Sequence, residues 1–162
     1  MGSLTRTGTS RAAARRAAEL GQRTEYLAFR LAEDLYAIRI AFIAEILKPP
    51  PITEVPRAPR NIVGVVSVRG RLVTVVDLRR RLKLYEAPMD RRTRILLTSP
   101  DLGESMGLLV DEVMQVYRLA ESEVEPAHVL GGDQPAHIGG IGRPDGAFLV
   151  LLDLGPILAG SA

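Results

Sequence analysis

Apolar residues cluster most densely over residues 62–82, IVGVVSVRGRLVTVVDLRRRL, where two runs rich in β-branched side chains meet at one polar break, Arg69-Gly70-Arg71. That pattern predicts a β-hairpin. Val63, Val65, Val66 and Val68 on one arm, and Leu72, Val73, Val75 and Val76 on the other, leave little room for a polar face. Both strands are therefore expected to be buried on two sides. Gly70 supplies the positive φ of a tight turn, and Asp77 stands where a short polar side chain caps a helix running through residues 78–82. If capping is its whole role, Asn or Ser at position 77 should restore what Ala removes.

Around this unit the pattern is also one of short strands. Leu27, Phe29 and Leu31 alternate with Tyr26, Ala28 and Arg30, a turn is expected at Glu33-Asp34, and residues 35–40 run back as a second strand. In AFIAEIL (41–47) the spacing of Phe42, Ile43, Ile46 and Leu47 predicts a short helical turn, with Glu45 the one acid in an apolar context. Pro49-Pro50-Pro51 and VPRAP (55–59) stiffen the following loop. Strands are expected at 95–98, 106–110 and 113–117, with a polar bend at Asp111-Glu112. Residues 141–154 then repeat the scheme of 69–78: a polar turn, an apolar strand, and Asp153 as the cap of a terminal helix that has Pro156 in its first turn. The echo predicts two small barrels built alike and packed together.

A chain of 162 residues with 46% hydrophobic content can bury one core or two lobes sharing an interior. No cysteine occurs, so disulfides and thiolate chemistry are excluded. No apolar run approaches the roughly 18 residues that span a bilayer, so direct membrane insertion is not expected. The net charge is +2, and residues 1–23 hold five arginines against Glu19, which leaves residues 24–162 slightly acidic. We read 1–23 as a flexible basic N-terminal arm, with an alanine-rich helix over 11–20, and 24–162 as the folded domain. Aromatic content of 4% argues against nucleic-acid binding, and the arginine runs at 79–81 and 91–94 read as solvated faces. His128 and His137 lack metal-site spacing, no nucleophile or phosphate-loop motif is present, and capping accounts for both aspartates. No enzyme activity, metal or cofactor is expected.

The order GVVSVRGRLVTVVDL, preceded by VPRAPRNIVG, resembles the core signature of the CheW-like domain, the adaptor of bacterial chemotaxis arrays. Gly64, Arg69, Gly70 and Asp77 keep the family spacing, while Ser67 stands where the family usually has Asn. FRLAEDLYAIRI, AEI, GLLVDEVMQV and LVLLDL extend the resemblance over about residues 25–158. It implies a mainly β fold: two five-stranded SH3-like barrels on a shared hydrophobic core, with short helices and a C-terminal helix. It implies a stand-alone adaptor coupling the cytoplasmic tips of chemoreceptors (methyl-accepting chemotaxis proteins) to the regulatory domain of a CheA-type histidine kinase. Such a protein would be cytoplasmic and recruited to membrane receptor arrays. Among its residues, Ile43, Glu45, Arg69, Val113 and Val116 would face the receptor, and Gly64 and Gly70 would serve kinase binding or the turn itself. An adaptor of a twitching or gliding motility pathway, or a small-barrel binding module outside chemotaxis, is the alternative.

Overall fold

In the computed structural model, which describes Arg11, residues 22–133 and residues 135–159, the hairpin forms as β4 (Ile62–Val68) and β5 (Arg71–Asp77). Val68 pairs with Arg71 across a two-residue turn in which both Arg69 (φ 49°) and Gly70 (φ 79°) have positive φ. Two consecutive left-handed residues make the mirror-image turn whose twist matches that of the strands it joins. Short helix α1 (Leu78–Arg81) follows, with Asp77 at its N-cap. Apart from Arg11, the helix expected over 11–20 lies outside the described residues.

The other strands are β1 (Arg23–Leu31), β2 (Asp34–Arg39), β3 (Ile43–Leu47), β6 (Arg94–Thr98), β7 (Met106–Val110), β8 (Glu112–Ala120), β9 (Val124–Glu125), β10 (Ile138–Gly142) and β11 (Leu149–Leu152). They form two sheets, ordered β3-β6-β7-β5-β4 and β8-β1-β2-β11-β10-β9. The protein is mainly β, two SH3-like barrels with a few short helices. Its second sheet has six strands rather than five, the sixth being the two-residue β9. The barrels are not consecutive halves. Residues 43–110 supply the five-stranded sheet as an insertion between β2 and β8 of the other.

The internal echo is a real structural repeat. β5 pairs antiparallel with β4 and parallel with β7, and β11 pairs antiparallel with β10 and parallel with β2. Each unit ends in a helix, α1 or the C-terminal α2 (Leu154–Ala159). The two helices touch where Arg81 donates from Nη2 to Pro156 O (2.9 Å) and from Nε to Ile157 O (3.3 Å).

Among the described residues, three apolar clusters fill the interior. Tyr26, Ala28, Ala37, Leu119, Leu149 and Leu151 line one barrel; Val66, Val73, Val75, Ile95, Leu97 and Leu109 line the other. Between the barrels, Leu27, Phe29, Leu31 and Ile38 meet Val76, Leu96, Leu108 and Val110, with Leu78, Leu154 and Ile157 from the helices. Strands β1, β5, β6 and β7 thus send alternate side chains into a barrel and into the shared core, and are apolar on both faces for that reason.

Four local expectations change. AFIAEIL forms a single 3₁₀ turn, Ile40–Phe42, and then edge strand β3, which partly buries Ile43 on the shared core and Leu47 on the barrel core and leaves Ile46 exposed. The first hairpin turns at Ala32-Glu33, one residue earlier than expected, with Ala32 at φ 55°. Two-sided burial of the central hairpin fails near its tip, where Leu72 is 77% exposed. The arginines of α1 are not a solvated face: Arg79 is buried, Arg80 pairs with Glu86 and Arg81 holds α2. Charge is also divided between the barrels, since residues 43–110 carry 12 Lys and Arg against 7 Asp and Glu, while 22–42 with 111–159 carry 5 against 11.

Candidate partner-binding site

β3 and β8 are edge strands of different sheets, and each contains an irregularity that re-aims its side chains. In β3, Ile43 pairs with Thr98 and Glu45 with Leu97, so Ala44 is an extra residue. Ile43 therefore lies on the face of the shared core, which it packs against, while Glu45 follows Leu97 to the opposite face. In β8, Val113 pairs with Phe29 and Val116 with Leu27. One extra residue between them puts two positions spaced by three on the same face, that of the shared core. Ile46, paired with Leu96, lies on the same face of β3 as Ile43; it is 43% exposed, and Val116 on β8 is 40% exposed.

Arg69 reaches from the hairpin tip to Glu45 through two parallel bonds, Nη1 to Oε1 at 3.1 Å and Nη2 to Oε2 at 2.5 Å. The left-handed φ of Arg69 turns its side chain off the strand line toward β3. Hydrogen bonding from Arg69 holds the Glu45 carboxyl below the ordinary carboxylate range, against a smaller opposing effect of burial. The pair sits over a concavity of about 460 Å³ lined by Val68, Leu72, Val73, Leu97 and Glu104. Of the five residues expected to face a receptor, the structure brings Glu45 to Arg69 at one barrel end, packs Ile43 of β3 and Val113 of β8 against the shared core, and leaves Val116 exposed on β8.

Gly64 is required by close approach. A Cβ there would lie 2.8 Å from the Thr53 carbonyl carbon and closer still to its oxygen, where Thr53 bridges to Val65. Gly70 has open space, so φ alone selects it. Asp153 Oδ1 accepts from Gly155 N at 3.1 Å at the start of α2. Asp77 Oδ1 accepts from Arg79 N at 2.9 Å, and its carboxylate also takes Arg79 Nη2 at 3.3 Å, so the cap is half of a buried ion pair. Sequence reasoning missed Arg79, Ile46 and Leu72. Arg79 alone left a signal, an arginine two residues after a capping Asp at the end of an apolar strand. Among the described residues no group of three or more His, Cys, Asp or Glu is placed to hold a metal ion.

The family model of the CheW-like domain matches residues 25–161. The chain belongs to the CheW-like domain family. Chemotaxis protein CheW of Bacillus subtilis is 31% identical over 142 residues, covering 87% of this chain and 90% of that protein. Protein FrzA of Myxococcus xanthus is 30% identical over 131 residues, covering 80% and 81%. The scaffolding protein TtCheW of Thermoanaerobacter tengcongensis superposes with a TM-score of 0.77 at 28% identity, over 84% of this chain and 92% of that one. This is accordingly a CheW-like chemotaxis scaffold, of a family that is non-catalytic in general.

Proposed function

We propose that this CheW-like protein couples the cytoplasmic tip of a chemoreceptor to the regulatory domain of a CheA-type histidine kinase. The observation that carries the receptor half is the pair of edge strands: Ile43 on β3 and Val113 on β8 pack against the shared core, Ile46 and Val116 on the same strands stand exposed, and the Arg69–Glu45 pair lies at the end of the five-stranded barrel. Apolar anchors beside a fixed polar pair suit a helical partner whose apolar stripe docks and whose polar residues set its register. The kinase half is assigned to the β4–β5 hairpin, in which Gly64 sits within strand β4 rather than in a turn, Gly70 forms the tip and Leu72 stands exposed beside it. Arrays at a membrane would recruit the protein through the receptor: no helix among the described residues is long and apolar enough to cross a bilayer.

Titration calorimetry against a receptor-tip fragment and, separately, the kinase regulatory domain tests this assignment. Arg69→Ala is expected to keep its thermal midpoint within a few degrees and to lose roughly tenfold or more in receptor affinity. Unchanged affinity for both partners would remove Arg69 from the site. A second reading, an adaptor of a twitching or gliding motility pathway, is compatible with the similarity to protein FrzA. The same titrations with receptors of the two pathways separate the readings.

A further inference from the structure

The two barrels are joined by apolar packing, which is non-directional and by itself tolerates sliding and rotation. Direction comes from polar contacts across the joint: the bonds of Arg81 to Pro156 O and Ile157 O at the two helices, and, where β7 passes into β8, the Asp111 carboxylate. Asp111 is the single residue between β7 of the five-stranded sheet and β8 of the six-stranded one. Its two oxygens are divided between the barrels: Oδ1 pairs with Arg79 Nη1 at 2.9 Å, and Oδ2 accepts from Ala32 N, in the β1–β2 turn, at 2.6 Å. Its own N–H donates to Arg30 O at 3.1 Å, and Arg30 Nη1 lies 3.9 Å from Oδ2. Arg79 is in turn fully committed. Its Nε and Nη2 point to Asp77 at 3.4 and 3.3 Å, and Nη1 also donates to Ala87 O at 2.6 Å. Arg79 and Asp77 are 5% and 2% exposed, so little water competes for these bonds.

We propose that Asp111, held by Arg79, is a positioning residue that fixes the angle between the barrels at the β7–β8 crossing, a place the Arg81 contacts between the helices do not reach. Through that angle it sets β8, which begins at the next residue, against β3 of the other barrel. Buried ionic groups can serve orientation more than stability, and a carboxylate with one oxygen on each side of a joint is suited to that. The consequence for receptor binding rests on the reading above, that β3 and β8 together receive the receptor tip; the clamp itself does not.

Asn at position 111 has one accepting oxygen where Asp has two, so it can keep the bond to Arg79 or the bond to Ala32 but not both. The chain has no cysteine, so Ser67→Cys and Ser122→Cys place one spin label on each barrel without background labelling. Pulsed electron paramagnetic resonance on this doubly labelled protein is expected to give one narrow distance distribution. Adding Asp111→Asn is expected to at least double its width, and the unlabelled Asp111→Asn protein is expected to bind a receptor-tip fragment at least fivefold more weakly. An unchanged distribution in folded Asp111→Asn protein overturns the clamp. A broadened distribution with unchanged receptor affinity upholds the clamp and rejects the β3–β8 receptor edge instead. If Asp111→Asn does not fold, native-state hydrogen exchange of the unaltered protein decides: the Ala32 and Asp111 amides should exchange only with global unfolding, like those of β1, and exchange through local opening would refute the proposal.

Discussion

Arg69 holds a conformation that costs an L residue energy, and the residue favoured at that place in the mirror-image turn is Asn, as Asn-Gly. Arg69→Asn should therefore leave the thermal midpoint unchanged or raise it, while receptor affinity falls, a separation that scanning calorimetry and binding titration read independently. Because Arg69 depresses the Glu45 pKa, whatever the pair contributes is present above the carboxyl's ordinary value of 4.5 and is lost as pH falls through the lower folded value. The pair is thus intact throughout the neutral range. Asp77 behaves differently, being buried with Arg79. Asp77→Ala should cost about 3–5 kcal/mol, because it leaves a buried guanidinium short of a partner. Asp77→Asn keeps an acceptor for the helix N–H but not the charge, so it should recover only part of that loss in denaturant unfolding, contrary to a role as cap alone. The cap was legible in the sequence because it is a contact between residues two apart; the ion pair was not, because nothing local says that Arg79 points inward.

At the scale of elements, alternation and turn chemistry made most strands legible: the 62–77 hairpin, 95–98, 106–110 and the start of β8 all lie within a few residues of where the pattern puts them. What the pattern hides is the extra residue. A strand with a bulge no longer obeys period two, and this is why Ile43, Ile46 and Leu47 imitate helical spacing and why Val113 and Val116 share a face. The two bulges, absent from any local signal, do more to shape the candidate site than the strands themselves. Val116→Lys tests this directly. Since Val116 is already 40% exposed, a long side chain can be accommodated with its charge in water, and the thermal midpoint should stay within a few degrees. Receptor affinity should fall roughly tenfold or more, while affinity for the kinase domain holds. An equal fall for both partners would show a general disturbance of β8 rather than loss of a contact.

At the scale of the whole molecule, the repeat announced two similar barrels but not how the chain divides between them. The parallel pairing of β11 with β2 joins residues more than a hundred positions apart, and it is this pairing that makes one barrel an insertion in the other. Long-range register of that kind leaves no trace in a window of neighbouring residues. Nesting has a mechanical consequence: neither barrel is completed without the crossings at residues 40–42 and at Asp111, so a partner on one barrel meets a frame tied twice to the other. An adaptor needs that frame to carry two partners at once. Sedimentation velocity of an equimolar mixture of the protein, a receptor-tip fragment and the kinase regulatory domain tests this most directly. A boundary containing all three, faster than either binary complex, is the expected result; displacement of one partner by the other, with binary complexes alone, would contradict it.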